Sequence, residues 1–318
     1  MTKDSFKTKG KELKNFLLAM DRAWEEYENL KESLKNRKDS FNLPKDNCLY
    51  KGDNIDLLLA LIEKEEKLSL IYIDPPFFTK EDKEAVVEEE GEKTRTLAYK
   101  DSWKNMSEYL EMLALRIMLM KDVLADDGLI FVHVDWHAAH YVRVILDEVF
   151  GVNRFVNEII WQYKSGGSTK KHFARKHDNI LVYSKTAKYK FNPQKEKSYN
   201  RGLKPYRFKG VEEFCDDVGW YTVVNMKDVW SLDMVGRTSS ERTGYATQKP
   251  LKLMERIILA GSNSGDKVAD FFCGSGSFGL AAAKLNRTFY MCDYGELAVK
   301  TTAQRLKEQD VSFERLYF

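Results

Sequence analysis

A carboxylate, two prolines and an aromatic ring stand together at Asp74-Pro75-Pro76-Phe77, directly after the apolar run of residues 68–73. The run is typical of a buried strand, and ligands of open α/β sheets bind beyond the carboxyl ends of the strands. The prolines remove two N–H donors and fix their φ angles, so a carbonyl in this turn is presented rigidly. A carboxylate and such a carbonyl can hold the planar amino group of a base while its ring stacks on Phe77. The motif therefore indicates a site for an amino-bearing base.

A second strand-to-turn motif comes late in the chain, where residues 267–271 run into Phe272-Cys273-Gly274-Ser275-Gly276. Glycine allows close backbone approach and positive φ, and the helix expected after it offers free N–H groups. Asp293 follows about 20 residues later, where an acid can bind the ribose hydroxyls of a cofactor. The pattern favours a nucleoside-containing cofactor over the alternative, a tight turn without a ligand.

These two motifs together resemble those of the DNA amino-methyltransferases, which modify exocyclic amines of bases and include N6-adenine and N4-cytosine enzymes of restriction–modification systems. Thr247-Gln248-Lys249-Pro250-Leu251 resembles the segment that precedes their cofactor motif. The order of catalytic motif, basic segment and cofactor motif is that of the β group, and the resemblance covers roughly residues 47–306. It implies an α/β fold: a Rossmann-like, S-adenosylmethionine-dependent methyltransferase sheet with helices on both faces, plus an inserted basic target-recognition segment.

The resemblance also implies roles for individual residues. Asp74 and the Pro75 carbonyl would accept the two amino hydrogens in the turn that Pro76 helps to fix, and Phe77, where Tyr is usual, would stack on the base. S-adenosylmethionine would be bound by residues from several segments, with Asp293 at its ribose, Asp53 at its adenine end, and Thr247 and Lys249 near its methionine moiety. The full expected set is Asp53, Thr247, Lys249, Asp270, Phe272, Gly274, Gly276 and Asp293. The leading Asp of the catalytic motif favours adenine N6 over cytosine N4.

The expected chemistry is a direct displacement, in which two acceptors on the amino hydrogens restore the nitrogen lone pair that the ring otherwise withdraws. Positioning and electrostatics supply most of the help in such a step, and no metal is needed. His133, His137 and His140 stand on a strand and the following helix, so we expect no metal site. Cytosine C5 methylation needs a thiolate, usually in a Pro-Cys motif, and no proline here precedes a cysteine.

The net charge of +2 conceals an asymmetry, because residues 151–210 carry fifteen Lys and Arg against three Asp and Glu. Such a concentration of positive charge predicts a polyanion partner. We expect double-stranded DNA here, contacted through Lys164, Lys170, Lys171, Arg175, Lys176, Lys204 and Arg207. The alternative is a solvated basic face. The base would have to leave the duplex, because neither its amine nor its ring face is reachable in the stack.

Strand and helix patterns alternate along most of the chain and predict three parts: an N-terminal helical extension (1–46), a catalytic and cofactor domain (47–152 and 246–318), and a target-recognition insertion with its own fold (153–245). Residues 80–98 are acidic and read as a loop after Asp74, either a lid or simply solvated. The four cysteines form no Cys-x-x-Cys pair, and the N-terminus lacks an apolar leader, so we expect a cytoplasmic, DNA-associated, prokaryotic protein with no membrane association.

The leading hypothesis is a site-specific adenine-N6 DNA methyltransferase. Cytosine-N4 methylation on the same fold and a non-catalytic DNA-binding subunit are the alternatives. A homodimer and a cognate restriction endonuclease are possible partners. The recognition sequence and the base-reading side chains do not follow from the sequence.

Overall fold

A computed structural model describes residues 3–36, 42–78, 83–89, 92–99, 103–164, 169–236, 238–245 and 247–317; for residues 3–12, 83–89 and 92–99 only the backbone is described. The helices are α1 (Lys3–Lys35), α2 (Asn54–Glu63), α3 (Met106–Val123), α4 (Ala139–Phe150), α5 (Leu251–Gly261), α6 (Ser277–Lys284) and α7 (Glu296–Glu308). The strands are β1 (Cys48–Lys51), β2 (Leu68–Ile73), β3 (Lys83–Glu89), β4 (Glu92–Tyr99), β5 (Leu124–Val134), β6 (Phe155–Gln162), β7 (His177–Ser184), β8 (Lys195–Tyr199), β9 (Phe214–Cys215), β10 (Trp220–Asn225), β11 (Val229–Ser231), β12 (Lys267–Asp270), β13 (Thr288–Asp293) and β14 (Glu314–Leu316).

The central sheet has nine of the described strands, in the order β11-β6-β7-β5-β2-β12-β13-β1-β14. Strand β7 is antiparallel to both of its neighbours, and the other described pairs in this sheet are parallel. Strand β2, which leads into Asp74, therefore lies directly beside β12, which leads into the glycine turn, although the two strands are far apart in the sequence. This is the α/β arrangement that the sequence predicts.

Two apolar layers cover the sheet, because successive side chains of a strand point to opposite faces. In β2, Leu70 and Tyr72 join the layer under α5, α6 and α7, whereas Ile71 and Ile73 join the layer under α2, α3 and α4. All four side chains are buried. Strands buried on both faces are nearly continuously apolar, as in parallel sheets generally.

The N-terminal helix α1 packs on α3 and extends the second of these layers. Phe16, Ala19, Met20 and Ala23 are buried at helical spacing, and the Lys31 ammonium lies 2.8 Å from the Asp122 carboxylate on α3. Among the described residues, the N-terminal extension thus contains one long helix docked on α3.

Two parts of the chain differ from their sequence-based description. The acidic stretch expected as a loop contains the antiparallel hairpin β3–β4, so that expectation was wrong for the described residues; β-branched residues such as Val86, Val87 and Thr94 favour strands despite the surrounding glutamates. Within residues 153–245, β6, β7 and β11 continue the central sheet, and the three-stranded sheet β8-β10-β9 is separate from it.

Candidate active site

Five aspartates stand at or just beyond the carboxyl ends of five neighbouring parallel strands. In the order of the sheet, β5, β2, β12, β13 and β1 end at Asp135, Asp74, Asp270, Asp293 and Asp53. Parallel strands bring their carboxyl ends to one edge, so residues distant in sequence meet there. The site is built along this row.

The turn after β2 is held in an unusual backbone conformation. Phe78 has a φ of 60°, a left-handed conformation that costs a residue other than glycine roughly 1–2 kcal/mol. Its side chain is buried and its ring centroid lies 5.7 Å from that of Tyr109. Packing against α3 therefore holds the turn that presents Asp74 and Phe77.

Asp74 is divided between two environments. Its Oδ2 forms an ion pair with the Lys249 ammonium, whereas its Oδ1 is buried without a hydrogen-bond partner among the described residues. A buried acceptor left unpaired is costly, and a catalytic role is one of the reasons for which folded proteins retain such a group. The same ammonium lies 5.4 Å from the centroid of the Phe77 ring. Lys249 thus fixes both chemical groups of the motif.

One cavity of about 700 Å³ opens beside this pair. It brings together eleven of the sequence-predicted catalytic and cofactor residues, namely Asp53, Asp74, Pro75, Pro76, Phe77, Thr247, Lys249, Asp270, Phe272, Gly274 and Asp293. Gly276 does not line the cavity; its positive φ shapes the backbone of the glycine turn instead. Small-molecule sites commonly occupy about 300–1,000 Å³.

Asp293 ties the glycine turn to the end of β13. Its Oδ2 accepts a hydrogen bond from the Gly274 N–H at 2.8 Å and its Oδ1 accepts one from the Gly295 N–H at 2.8 Å. A carboxylate has further lone pairs, so these bonds leave it able to accept ligand hydroxyls at the cavity wall.

Gly276 is the N-cap residue of α6, with a φ of 74°, and a Cβ there would lie 2.7 Å from the Thr302 side chain. Glycine is therefore required for both conformation and space. Gly279, which the sequence reasoning missed, completes a Gly-x-Gly-x-x-Gly pattern with Gly274 and Gly276 and lets α6 approach the Met291 side chain on β13. Dinucleotide sites share this pattern, so the glycines alone do not identify the cofactor.

Asp53 is part of a polar group that the sequence did not reveal. Its side chain caps α2 by accepting from the Ile55 N–H at 3.0 Å, and Arg116 on α3 donates to its two oxygens at 2.8 and 3.0 Å. Arg116 also donates to the Asn54 Oδ1 at 2.7 Å. Arg116, Trp103, Tyr245 and Glu296 line the cavity and were missed, because no local pattern marks residues that reach a site from other elements.

The cavity wall is rich in carboxyl groups whose titration is perturbed. Burial raises the pKa of Asp270, despite a hydrogen bond from the Phe272 N–H, and burial likewise raises the pKa of Asp293. Burial also raises the pKa of the Cys273 thiol well above its ordinary value, so this cysteine is a poor source of the thiolate that a covalent mechanism would need.

Lys249 and two of the histidines are paired with carboxylates. The Lys249 ammonium pairs with Asp74, and its expected place beside the methionine moiety of the cofactor stays a prediction. His133 Nε2 lies 3.1 Å from Asp178 and His137 Nδ1 lies 2.6 Å from Asp135. Within the described part of the chain, His, Cys, Asp and Glu form no group that could hold a metal ion.

The predicted DNA-contacting residues lie outside the cavity. Lys164, Lys170, Lys171 and Arg175 are exposed and Lys176 is partly exposed in the connection from β6 to β7. Residues 165–168 of the cationic loop lie outside the described residues. Because β7 begins beside the carboxyl end of β5, this connection emerges at the same edge of the sheet as Asp74. Lys204 and Arg207 are exposed between β8 and β9, in the separate sheet.

Arg175 is anchored at this edge. Its guanidinium lies 3.7 Å from the ring centroid of Trp136, which directly follows Asp135 at the end of β5.

No helix among the described residues is long and apolar enough to cross a membrane.

Comparison with known proteins gives a consistent result. The sequence profile of the DNA methylase family (N6_N4_Mtase) matches residues 68–304. The chain is 31% identical to the type II methyltransferase M.EcaI of Enterobacter cloacae over 85% of this chain and 71% of that protein. In fold it is similar to the M1.HpyAVI–SAM complex (TM-score 0.52, 19% identity, 81% of this chain and 98% of that chain) and to the cytosine-N4-specific PvuII DNA methyltransferase (TM-score 0.56, 17% identity, 85% and 92%).

Proposed function

This chain belongs to the DNA methylase family, and on that premise we propose that it transfers a methyl group from S-adenosylmethionine to the N6 atom of an adenine that is flipped out of duplex DNA at a specific site. The catalytic set is Asp74, Pro75, Pro76 and Phe77. One observation carries the proposal: Asp74 lines the cavity beside the Phe77 ring, and its Oδ1 is buried without a hydrogen-bond partner among the described residues.

The chain's own residues account for the binding of the amino group. Asp74 Oδ1 accepts one amino hydrogen, and the Pro75 carbonyl accepts the other. Lys249 holds Asp74 Oδ2, so that the carboxylate cannot rotate away from the amine. Phe77 stacks on the base. These contacts position a neutral nucleophile and favour the charge that develops on its nitrogen, which is how an enzyme lowers such a barrier.

The cavity fits the proposed cofactor. S-adenosylmethionine would supply an electrophilic methyl group on a sulfonium. The cavity is lined by Asp53, Asp270, Asp293 and Glu296, which suit hydroxyl groups and a positively charged ligand, and Phe272 can pack on an adenine ring. Arg116, Lys249 and Lys300 line the same cavity, so its charge does not select the cofactor. The family premise favours S-adenosylmethionine where the glycines do not decide.

Double-stranded DNA is the proposed partner, and segment 153–245 is the proposed target-recognition region. Lys164, Lys170, Lys171, Arg175 and Lys176 would contact phosphates next to the site, because their connection emerges at its edge of the sheet. Lys204 and Arg207 would contact the duplex from the separate sheet. Phosphate contacts of this kind set the register of a protein on DNA without reading its sequence. A homodimer, a cognate endonuclease and a cytoplasmic location accord with this function.

Cytosine N4 is the second candidate, because the fold is similar to that of a cytosine-N4-specific enzyme. The exocyclic amine of cytosine also presents two hydrogens, as that of adenine does. Asp74 at the first position of the motif favours adenine. A non-catalytic DNA-binding subunit is the alternative from another class, and it would have no use for the Asp74 arrangement.

The experiment is methylation of mixed genomic DNA by the purified protein with S-adenosylmethionine, followed by nucleoside mass spectrometry and modification-aware sequencing. We expect N6-methyladenine in one sequence context. N4-methylcytosine would overturn the choice of base but keep the mechanism. No methylated base, with cofactor and DNA both bound, would contradict the catalytic proposal.

The variant that tests the mechanism is Asp74→Ala. We expect turnover to fall by about a hundredfold to a thousandfold, the range seen when one preorganised polar group is removed, while cofactor and DNA dissociation constants change little. Asp21→Ala removes an exposed carboxylate on α1, outside the proposed site and the proposed target-recognition region, and as the matched control it should retain activity. Normal turnover in Asp74→Ala would refute the assignment.

A further inference from the structure

A chain of four hydrogen-bonded polar side chains crosses the sheet beneath the proposed base site; two of them, Tyr72 and His133, are buried, and Asp178 and Tyr163 are partly buried. The Tyr72 hydroxyl lies 2.9 Å from His133 Nδ1, His133 Nε2 lies 3.1 Å from the Asp178 Oδ2, and the Tyr163 hydroxyl donates to the Asp178 Oδ1 at 3.1 Å. We call these residues, Tyr72, His133, Asp178 and Tyr163, the His133 network. It links β2, β5 and β7, because each strand contributes one member, and Tyr163 follows β6.

Asp178 fixes the direction of its own hydrogen bonds. As a carboxylate it only accepts, so the His133 Nε2–H and the Tyr163 hydroxyl donate to it. The Tyr72 hydroxyl and His133 Nδ1 share the remaining hydrogen bond. Burial alone would raise the pKa of Asp178, but the hydrogen bond from His133, the nearby Lys249 charge and the hydrogen bond from Tyr163 hold that pKa below its ordinary value. The carboxylate is thus charged, and every polar atom of His133 is paired.

His133 also contacts the rings that form the site. It is fully buried, and its ring centroid lies 5.8 Å from that of Phe77. Tyr72, to which it is bonded, lines the cavity and stacks on Phe278 with centroids 5.6 Å apart. Phe278 belongs to α6, directly after the glycine turn. One imidazole therefore holds Tyr72 on the cofactor side and supports Phe77 on the base side.

The other end of the network reaches the basic connection. Asp178 is the second residue of β7, and the Tyr163 N–H donates to the Lys176 carbonyl at 3.0 Å. Both residues border the segment that carries Lys170, Lys171 and Arg175. A displacement of that segment would therefore move Asp178 and, through His133, the residues that form the walls of the cavity.

We propose that His133 is a positioning residue for methyl transfer. It holds Phe77 and Tyr72 in alignment with β7, the strand that follows the DNA-contacting connection. The inference rests on the proposed function. A positioning residue is expected to affect the rate at saturation more than the affinities, because misplacement by about 1 Å can cost about a hundredfold in rate while the binding surfaces remain.

The test uses His133→Gln and Tyr72→Phe in the full chain. The glutamine amide can reach Asp178 but offers nothing at the position of Nδ1, and the phenylalanine keeps the ring on Phe278 without the hydroxyl. Each variant breaks the same Tyr72–His133 bond. His140→Gln changes an exposed histidine and is the matched control.

The measurements are single-turnover methyl transfer at saturating DNA and cofactor, both dissociation constants, and the thermal midpoint. We expect each single variant to lose about tenfold to a hundredfold in rate, with dissociation constants within about twofold of the wild type, and the double variant to be no slower than the slower single variant. The control should match the wild type.

Three results would overturn the inference: an unchanged rate in both variants, rate losses that multiply in the double variant, or a loss confined to affinity. If His133→Gln does not fold, Tyr72→Phe alone decides, since it removes a single hydroxyl. A wild-type protein that methylates no DNA would instead refute the proposed function, whereas an active wild type with equally active variants refutes only the role of His133.

Discussion

The ion pair between Lys249 and Asp74 makes a quantitative prediction about stability. Their side chains are only 11% and 16% exposed, so the pair is close to buried. Removing one partner of a buried pair commonly costs about 3–5 kcal/mol, because the other charge is left without compensation. Since Asp74 Oδ1 has no other partner among the described residues, we expect Lys249→Met to lower the free energy of unfolding by about 3 kcal/mol.

A double-mutant cycle separates this loss from the loss of packing. Asp74→Asn leaves the Lys249 ammonium unpaired, and the double variant Asp74→Asn with Lys249→Met carries neither charge. We expect the double variant to be more stable than the sum of the single effects implies, with a coupling of about 2–3 kcal/mol, at the upper end for residues in contact. An exposed pair would give only about 0.2–1 kcal/mol.

The assay is urea unfolding of the four proteins without cofactor or DNA, with the slopes compared so that changes in the unfolded state are recognised. Lys300→Met is the control, because the Lys300 ammonium lies 3.9 Å from the Glu296 carboxylate and both side chains are about half exposed or more; its effect should stay within about 0.5 kcal/mol. A coupling below about 0.5 kcal/mol between Asp74 and Lys249 would refute the argument that Lys249 fixes the Asp74 carboxylate.

Three further predictions follow from the site. Gly276→Ala should lower the free energy of unfolding by about 2 kcal/mol or more, because Gly276 has a positive φ and the added Cβ would meet the Thr302 side chain. Gly210 also has a positive φ but has open space around it, so Gly210→Ala should cost less. Equal losses of the two variants in urea unfolding would contradict this prediction. Burial raises the pKa of Asp270, so the contribution of this carboxyl group to stability is present below the unfolded pKa of about 3.9 and is lost as the pH rises through the folded pKa. Asp270→Asn should therefore raise the thermal midpoint relative to wild type more at pH 8 than at pH 5. A difference in thermal midpoint that does not depend on pH would count against this prediction. Lys171→Ala should weaken DNA binding similarly on all sequences and reduce the slope of log affinity against log salt by about one; an unchanged slope in a salt titration would show that Lys171 contacts no phosphate.

The sequence predicts the parts of this fold that local patterns control. Apolar runs such as residues 68–73 and helical spacing such as that from Ser107 to Leu124 are set by periodicity, and strand β2 and helix α3 form there. The Asp74 turn and the glycine turn are recognisable because their residue types are required by short-range geometry. The meeting of their strands follows from the rules for parallel sheets.

What the sequence does not reveal is pairing over long distances. Nothing near Lys249 indicates that it reaches Asp74, and nothing near Arg116 indicates Asp53, because both contacts depend on how helices dock on the sheet. The same holds for β6 and β7, whose apolar alternation is equally compatible with a separate subdomain. The hairpin β3–β4 was missed for a different reason, since its many glutamates mask its β-branched residues.

The place of β12 and β13 in the sheet has a consequence for synthesis of the chain on the ribosome. They lie between β2 and β1, yet they are translated long after both, so β1 and β2 emerge with a gap between them that only the last part of the chain can fill. Until then each presents an unpaired strand edge, which is prone to join other chains. Chains that stop before Lys267 should therefore aggregate rather than persist as partial enzymes, and full-length chains should gain the cavity and the closed sheet in the same late step.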